Sequence, residues 1–447
     1  MLFSSLEFIF LFLPLAVGIY FSLPRRWRNF WLLLSGLCFY AFGEPRFLPL
    51  MVLTILADYA FGRWIEYLFF KDNQKGARLV LTLAVLLNIG QLALFKYFDF
   101  FGLGLPIGIS FYTFQALSYV IDVYWRKVRA TKSLVAFGAY VSLFPQLIAG
   151  PIVKYTDVER ELAWRRHSLS DMAGGLRTFC AGLAKKVLIA NVAGQMWEAL
   201  AADRSVVGAY LSIFFFAIQI YFDFSGYSDM AVGLGRVFGF SFPQNFNYPY
   251  ISRSITEFWR RWHMTLSAWF REYVYIPLGG NRGGKPRTYR NLLITWALTG
   301  LWHGASVNFL LWGLYFAAVL IIEKAFLQKV LVRTPSAIAH IYSLVLIGLG
   351  WVIFASDGGA DGLSLAGRLV GIGCISFCSG NARYQLIRNL VFIIITALGC
   401  TPLPKRLYLK IKERFAPIDI ILPLGGFLLS LAYIVSSGYD PFLYFRF

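Results

Sequence analysis

The chain has 447 residues, of which 58% are hydrophobic, 18% aromatic and 15% charged, and its mean hydropathy is +0.61. Soluble domains carry about a quarter charged residues, so this composition excludes an ordinary soluble protein. The net charge of +19 comes from basic residues clustered between apolar runs, which favours cytoplasmic loops facing anionic lipid over nucleic-acid binding.

Long uncharged runs recur along the chain, and most reach the roughly 20 residues that a helix needs to cross a membrane. They occupy residues 8–24, 79–95, 100–121, 133–153, 206–222, 291–322, 341–356, 389–404 and 420–439. Apolar and polar residues do not alternate in them, which excludes a membrane β-barrel. We therefore predict an all-α polytopic membrane protein with about 11 transmembrane helices plus re-entrant and interfacial helices. The chain is predicted to form one domain, 1–447.

The ends of the first runs predict the orientation. The opening "MLFSSLEFIF" has no basic segment and no small-residue cleavage site, so it is predicted to be a retained first span. Basic residues at 25–28, 71–78 and 126–132 are predicted to lie inside, which places the N-terminus outside. The run 133–153 contains "FPQLIAGPI", whose prolines and glycine predict a broken or re-entrant segment.

Four histidines are present, at positions 167, 263, 303 and 340. His167, in "WRRHSLS", is predicted to be a solvated surface residue, and His340 an interfacial anchor. The five cysteines offer neither a disulfide framework nor a metal set, and we predict no metal site. His263 and His303 need another explanation, because each lies among apolar residues.

Ser254 and Glu257 have capping-box spacing, which predicts a helix start. On one continuous helix, His263 would share a face with Trp259, Leu266 and Phe270, and the helix would end at the turn containing Pro277, Gly279 and Gly280. A membrane-surface helix explains the arginines of this segment. It leaves the imidazole on the apolar face unexplained.

His303 lies near the middle of the uncharged run 291–322, which is too long for one perpendicular crossing at ~1.5 Å per residue. The run must tilt, bend or form two helices, and Gly300, Gly304 and Gly313 offer the bends. An unpaired polar group in an apolar site costs roughly 1–3 kcal/mol. A histidine bonded to a neighbouring carbonyl is the structural alternative, but polar residues within membranes are functional candidates.

Two long motifs resemble the signature of the membrane-bound O-acyltransferase family. They are "FDFSGYSDMAVGLGRVFGFSFPQNFNYPYISRSITEFWRRWHMTLSAWFREYVYIPLGGNR" and "LTGLWHGASVNFLLWGLY". The opening segment, "GISFYTFQALSYVIDVY", "FPQLIAGPI" and the closing "PFLYFRF" match as well. The resemblance is to the bacterial alginate O-acetyltransferase-like branch and runs from end to end.

The resemblance implies that His303 is the catalytic histidine in a central tunnel through the membrane and that His263 is a second functional histidine. Acyl transfer from a thioester to a hydroxyl needs a base and an oxyanion donor. We assign His303 as the base and His263 as the orienting or oxyanion-stabilising partner, with the reverse order open. Trp302, Asn308 and Tyr221 are candidate substrate-binding residues. Direct transfer is favoured, since no nucleophilic Ser or Cys is evident.

The resemblance further implies an enzyme of the bacterial inner membrane. The expected donor is a cytoplasmic acyl thioester such as acetyl-CoA, with an acyl carrier protein left open. The basic clusters, which anionic lipid explains, would also attract a phosphorylated acyl donor, and composition does not separate the two uses. The expected acceptor is an exopolysaccharide or cell-envelope polymer, reached directly or through a periplasmic acetyltransferase-type partner protein. Three alternatives remain: D-alanyl transfer to teichoic acids, a non-enzymatic polymer or anion transporter, and a structural scaffold for a secretion complex. A transporter predicts paired repeats with interrupted helices, and no repeat is visible.

Overall fold

The computed structural model describes residues 1–98, 104–356 and 359–437, and within these ranges the regular elements are helices. The closing motif "PFLYFRF" and the start of the run at 100–121 lie outside the described residues. The helices up to the middle of the chain are α1 (Leu13–Ser22), α2 (Arg28–Gly43), α3 (Leu48–Phe70), α4 (Gln74–Tyr97), α5 (Ile109–Tyr124), α6 (Leu134–Val141), α7 (Phe144–Leu147), α8 (Tyr155–Ala163), α9 (Leu169–Ala184), α10 (Asn191–Ala199) and α11 (Val206–Val237).

Eleven further α-helices follow in the described residues. They are α12 (Ile255–Trp259), α13 (Met264–Phe270), α14 (Gly284–His303), α15 (Val307–Ile322), α16 (Gln328–Arg333), α17 (Ser336–Ala355), α18 (Gly359–Leu369), α19 (Gly380–Arg388), α20 (Leu390–Gly399), α21 (Leu403–Arg414) and α22 (Ile418–Ser437). Short π-helical turns occupy Phe8–Phe12, Lys185–Ala190, Arg271–Tyr275 and Glu323–Leu327, and 3₁₀ turns occupy Arg25–Trp27, Pro45–Phe47 and Pro249–Ile251.

Six helices of the described residues are long and apolar enough to cross a membrane, and a seventh span results if the bent pair α19–α20 counts as one. The six are Pro45–Phe70, Gln74–Tyr97, Val206–Val237, Val307–Arg333, Ser336–Ala355 and Ile418–Ser437. The molecule is therefore an all-helical, multi-pass membrane protein. The predicted number of about 11 spans is not confirmed.

Contacts divide the chain into two compact units. The first unit comprises Met1–Leu183 and Tyr227–Pro243, and the second comprises Ala184–Gly226 and Gln244–Phe447. In the first unit α2 to α6 pack together, and in the second α15 packs against α14 and α17. The single domain remains a prediction.

The segment 133–153 is broken, as its prolines and glycine predict. Helices α6 and α7 are short, and no helix forms between α7 and α8. Residues 137–153 are all buried within the first unit. Side chains satisfy backbone carbonyls of this segment. Tyr140 Oη donates to the carbonyl of Val153 at 3.0 Å, and Gln146 Nε2 donates to that of Tyr140 at 2.7 Å. Burial with internal hydrogen bonds is the condition under which non-helical backbone is tolerated at membrane depth.

The continuous helix predicted around His263 is wrong. A helix does begin after Ser254, whose Oγ accepts from the Glu257 amide at 3.0 Å, but it ends at Trp259. A new helix starts only at Met264, and His263 between them has φ 41° and ψ 55°. A left-handed conformation at a residue with a side chain interrupts a helix. The predicted face of four aligned side chains therefore does not form.

The run 291–322 forms two helices, one of the predicted alternatives. Helix α14 ends at His303 and α15 begins at Val307, so the break falls at Gly304. Gly300 and Gly313 do not bend the chain, because each lies inside a helix at a point of close backbone approach. A Cβ on Gly300 would lie 2.3 Å from the carbonyl oxygen of Phe309, and one on Gly313 would lie 2.3 Å from that of Trp296. Small residues allow membrane helices to pack this closely.

Candidate active site

His263 is almost completely buried, with 1% of its surface exposed. Its ring packs edge-on against Phe224 at 4.6 Å and nearly parallel to Phe246 at 6.4 Å between centroids. Backbone conformations that are this rare for a non-glycine residue persist only where the surroundings impose them, and they cluster at functional sites. The strained backbone and the aromatic contacts therefore hold this imidazole in one orientation.

Asn245 fixes the tautomer of His263. Its Oδ1 lies 3.0 Å from His263 Nδ1 and also accepts from the backbone amide and the hydroxyl of Thr265, at 3.3 and 2.9 Å. An atom that accepts from a backbone N–H is the amide oxygen, so the His263 nitrogen facing it must carry the proton and donate. The lone pair is then on Nε2. This atom is buried and has no hydrogen-bond partner among the described residues.

The pKa of His263 agrees with a neutral ring. The residue lies between two short helices, outside the helices that are long enough to cross a membrane. Burial lowers its pKa from 6.5 to about 3, because desolvation disfavours the charged form. At neutral pH the imidazole can accept a proton on Nε2.

The start of α12 is anchored by Glu323, a carboxylate that is 0% exposed. It accepts from the backbone amides of Ile255 and Thr256 at 2.7 and 2.8 Å, from the Thr256 hydroxyl at 2.6 Å and from the Tyr342 hydroxyl at 3.1 Å. A carboxylate is favourable at a helix N-terminus, where free amides point outward. Glu323 thus ties the segment leading to His263 to the end of α15.

His303 lies at the C-terminal end of α14 and is 8% exposed. Its ring makes edge contacts with Trp312 at 4.9 Å and Phe354 at 5.4 Å, and a tilted contact with Phe309 at 6.3 Å. The hairpin of α14 and α15 brings Trp312 back beside the helix end, because the two glycines described above allow the helices to approach. His303, in the middle of the uncharged run, is therefore surrounded by aromatic rings at the end of α14.

Trp302 joins the two imidazoles. Its indole centroid lies 6.3 Å from the His263 ring and 5.0 Å from the His303 ring. Two histidines that are 40 residues apart in sequence therefore contact one side chain within the second unit. The indole is 5% exposed, so the cluster is largely shielded from solvent.

The two other predicted substrate-binding residues lie at different distances from this pair. Tyr221 contacts Phe246 at 6.0 Å and Trp262 at 6.1 Å, which places it in the aromatic shell around His263. Asn308 is buried and its amide donates to the carbonyl of Ser356. That bond gives Asn308 a structural role at the start of α15.

Sequence reasoning did not single out Asn245 or Glu323. Asn245 lies in "FPQNFNYPY", a segment in which no sequence pattern distinguishes this asparagine from its neighbours. Glu323 follows directly after the apolar run 291–322. In the sequence, a carboxylate at that position looks like an ordinary charged residue at the end of a membrane span. Among the described residues, no group of three or more His, Cys, Asp or Glu side chains is arranged to hold a metal ion.

The fold and the site define a multi-pass helical membrane protein with a shielded histidine pair, and comparisons with known proteins assign its family. Residues 126–348 match the model of the membrane-bound O-acyltransferase family. A probable alginate O-acetylase of Azotobacter vinelandii is 42% identical over 390 residues, covering 83% of this chain and 77% of the relative. The chain belongs to the membrane-bound O-acyltransferase family and is an acyltransferase.

Two further relatives indicate the range of chemistry nearby. A peptidoglycan O-acetyltransferase of Helicobacter pylori is 33% identical over 519 residues, covering 100% of this chain and 98% of the relative. A teichoic acid D-alanyltransferase of Bacillus subtilis is 28% identical over 227 residues, covering 48% of this chain and 58% of the relative. The similarity is thus greater, in identity and in coverage, to the two O-acetylating relatives.

Proposed function

We propose that this protein transfers an acetyl group from acetyl-CoA to a hydroxyl group of a cell-envelope polysaccharide, directly or through a periplasmic partner protein, in a bacterial inner membrane. The relatives named for alginate and peptidoglycan O-acetylation support the acetyl group and the polymer acceptor. The observation that carries the proposal is the packing of His263 and His303 on the same indole. The central tunnel stays a prediction.

His263 is proposed as the base, which reverses the order favoured from the sequence. Its Nδ1–H is used by Asn245, so a neutral ring has no hydrogen on Nε2 and can accept a proton but cannot stabilise an oxyanion. His303 then takes the role beside the thioester carbonyl, where an N–H of its ring would face the developing oxygen charge. Trp302 is proposed to separate the two rings by a fixed distance.

The proposed transfer proceeds by one addition followed by one elimination. The acceptor oxygen forms a bond to the acetyl carbonyl carbon while its proton passes to His263 Nε2. The tetrahedral intermediate then breaks its carbon–sulfur bond, and the departing thiolate takes the proton from the imidazolium. The products are an acetyl ester and free coenzyme A thiol. No acyl-enzyme is required.

Thiol release from acetyl-CoA by the purified protein in proteoliposomes, with an acceptor polysaccharide present, tests this proposal. His263→Ala is expected to lower the rate by about 10²- to 10⁴-fold, the usual contribution of a positioned base. His303→Ala is expected to lower it by about 10²- to 10³-fold, the usual contribution of an oxyanion donor.

His340→Gln is the control, because the ring of His340 donates from Nδ1 to the backbone carbonyl of Ser252 at 3.1 Å. Among the described residues, it makes no ring contact with the aromatic cluster around Trp302. The control is expected to retain thiol release. Folding is checked by elution of each variant as a single peak in detergent. Correctly folded His263→Ala and His303→Ala proteins that release thiol at the unmodified rate would remove both residues from the mechanism.

A further inference from the structure

A cavity of about 520 Å³ opens in the first unit and is lined by residues other than the histidine pair. Its wall is formed by the end of α8 and the loop after it, by Asp171 of α9, and by the last turns of α11 with the residues that follow. We call it the arginine cavity. Its charged lining consists of Arg160, Arg165, Arg166, Arg236, Glu161 and Asp171.

The arginine cavity carries more positive than negative charge. Asp171 is paired with Arg236 at 2.7 Å, which leaves Glu161 as the remaining carboxylate of the lining. No carboxylate lies within ion-pair distance of Arg160, Arg165 or Arg166 among the described residues. Three guanidinium groups therefore line the cavity without a bound counter-charge from the protein.

Arg165 is the most informative of the three, because only 9% of its surface is exposed. Its guanidinium donates to Tyr20 Oη at 3.0 Å, to the Glu161 carbonyl at 2.9 Å and to Asn29 Oδ1 at 2.8 Å. All three acceptors are neutral. A buried charge without an opposite charge is strongly unfavourable, even when its hydrogen bonds are made. An anion bound in the cavity would compensate the buried charge of Arg165.

His167 reports the same positive potential. Burial, followed by the charges of Arg28, Arg165 and Arg25, lowers its pKa from 6.5 to about 4. Its ring is only partly exposed, and Nε2 lies 3.2 Å from Tyr20 Oη. The predicted solvated surface histidine is therefore wrong: the aromatic rings of α1 cover it, at 5.5 Å from Tyr20 and 5.3 Å from Phe21.

The two remaining arginines are available to a ligand. Arg160 and Arg166 are exposed, and Arg166 lies over the Trp164 ring at 5.0 Å, which limits its freedom. Guanidinium groups present paired donors that match the oxygens of a phosphate, and a phosphate can accept from several of them at once. From this geometry we propose that the arginine cavity binds a phosphate group carried by a larger molecule.

Two sources share this chemistry: the headgroup of an anionic phospholipid, and the nucleotide phosphates of an acyl-CoA donor. Native mass spectrometry of the full-length protein with dioleoylphosphatidylglycerol tests the first source. Arg160→Ala/Arg166→Ala is expected to weaken retention of this lipid at least about tenfold, since charge-assisted hydrogen bonds contribute roughly 1.5–3 kcal/mol each. Dioleoylphosphatidylcholine, which has no net charge, is the lipid control.

The second source is tested by the KM of thiol release, an arm that rests on the proposed function. If the donor's phosphates occupy the cavity, the double variant raises the KM for acetyl-CoA at least about tenfold. The KM for S-acetylpantetheine, which lacks those phosphates, stays unchanged. The lipid measurement needs no catalysis, so failure of the proposed function does not obscure it.

Arg78→Ala/Arg129→Ala is the matched control, because it removes two exposed arginines of the same unit that lie outside the cavity. It is expected to behave like the unmodified protein in both arms. Loss in the lipid arm alone identifies the lipid headgroup, and loss in the donor arm alone identifies the nucleotide. A double variant that matches this control in both arms overturns the proposal.

Discussion

At the scale of single residues, the decisive contact is the one between Asn245 and His263. The amide oxygen receives the Nδ1 proton and leaves a buried lone pair on Nε2. A histidine in an apolar environment is ambiguous in a sequence, because its tautomer depends on a partner that the chain supplies from elsewhere. Here that partner precedes His263 by 18 residues.

Replacing Asn245 by Leu is expected to lower kcat for thiol release at least about tenfold, because Nδ1 loses the acceptor that fixes the proton on it. The KM for acetyl-CoA is expected to change little, since the substituted residue orients a group that acts in the transition state. Steady-state kinetics at neutral pH measure both constants. A raised KM with unchanged kcat would instead place Asn245 in donor binding.

Replacing Asn245 by Asp is expected to shift the acid side of the pH–rate profile. In the unmodified protein the pKa of His263 is lowered to about 3, so the neutral base persists well into the acid range. A carboxylate facing Nδ1–H stabilises the imidazolium and raises this pKa. Activity is therefore lost at a higher pH as the solution is acidified. Superimposable acid limbs for the two proteins would contradict His263 as the base.

At the scale of helices, Glu323 determines where α12 begins and hence where His263 lies. The capping-box spacing correctly predicted the helix start at Ser254. It gave no sign of the break before Met264, because the left-handed turn at His263 is imposed by packing against Phe224 and other rings. Helical periodicity describes neighbours within one element and contains no information on distant side chains.

Glu323→Gln is expected to lower both the melting temperature and thiol release. The amide nitrogen of Gln would face at least one of the four N–H or O–H donors that the carboxylate satisfies, leaving a buried donor unpaired at roughly 1–3 kcal/mol. Thermal unfolding in detergent measures the first effect. The loss of activity follows because α12 is released from the end of α15.

Glu413→Gln makes the same chemical change at an exposed residue of α21 and is expected to leave both quantities unchanged. Surface substitutions of this kind usually alter stability by less than about 0.5 kcal/mol. Equal melting temperatures for the two variants would show that the buried carboxylate does not anchor α12.

The glycines illustrate a second limit of sequence reasoning at this scale. The length of the uncharged run correctly required a tilt, a bend or two helices, and two helices form. Gly300 and Gly313 turned out to permit close packing, whereas Gly304 alone marks the break. A glycine in an apolar run has both meanings, and only the neighbouring helix distinguishes them.

At the scale of the whole molecule, composition and run length predicted a helical multi-pass protein, and the family resemblance predicted acyl transfer; both are confirmed. The predicted number of about 11 spans, in contrast, is not confirmed. The uncharged run 133–153, for example, is buried over residues 137–153 and contains only short helices, so a count of apolar runs includes segments that are not long helices.

Only part of the candidate site could be predicted from the sequence, because its contacts join residues that are far apart along the chain. The motifs identified His263 and His303, but the contact of both with Trp302 depends on the hairpin of α14 and α15 and on the turn after α12. The sequence did not predict the arginine cavity as a site, because its arginines resemble the basic residues of an ordinary cytoplasmic loop. Charge clusters mark a membrane side in the sequence, and only the missing counter-charge of buried Arg165 indicates a ligand.

The proposed roles of His263 and His303 are tested most directly by a structure of the protein with a thioether analogue of acetyl-CoA. This analogue binds but cannot transfer its acyl group. The reactive end of the analogue is expected beside Trp302, touching His303, with His263 Nε2 facing the space where an acceptor hydroxyl would approach at about 2.6–3.2 Å. An analogue whose reactive end contacts neither imidazole would contradict these roles.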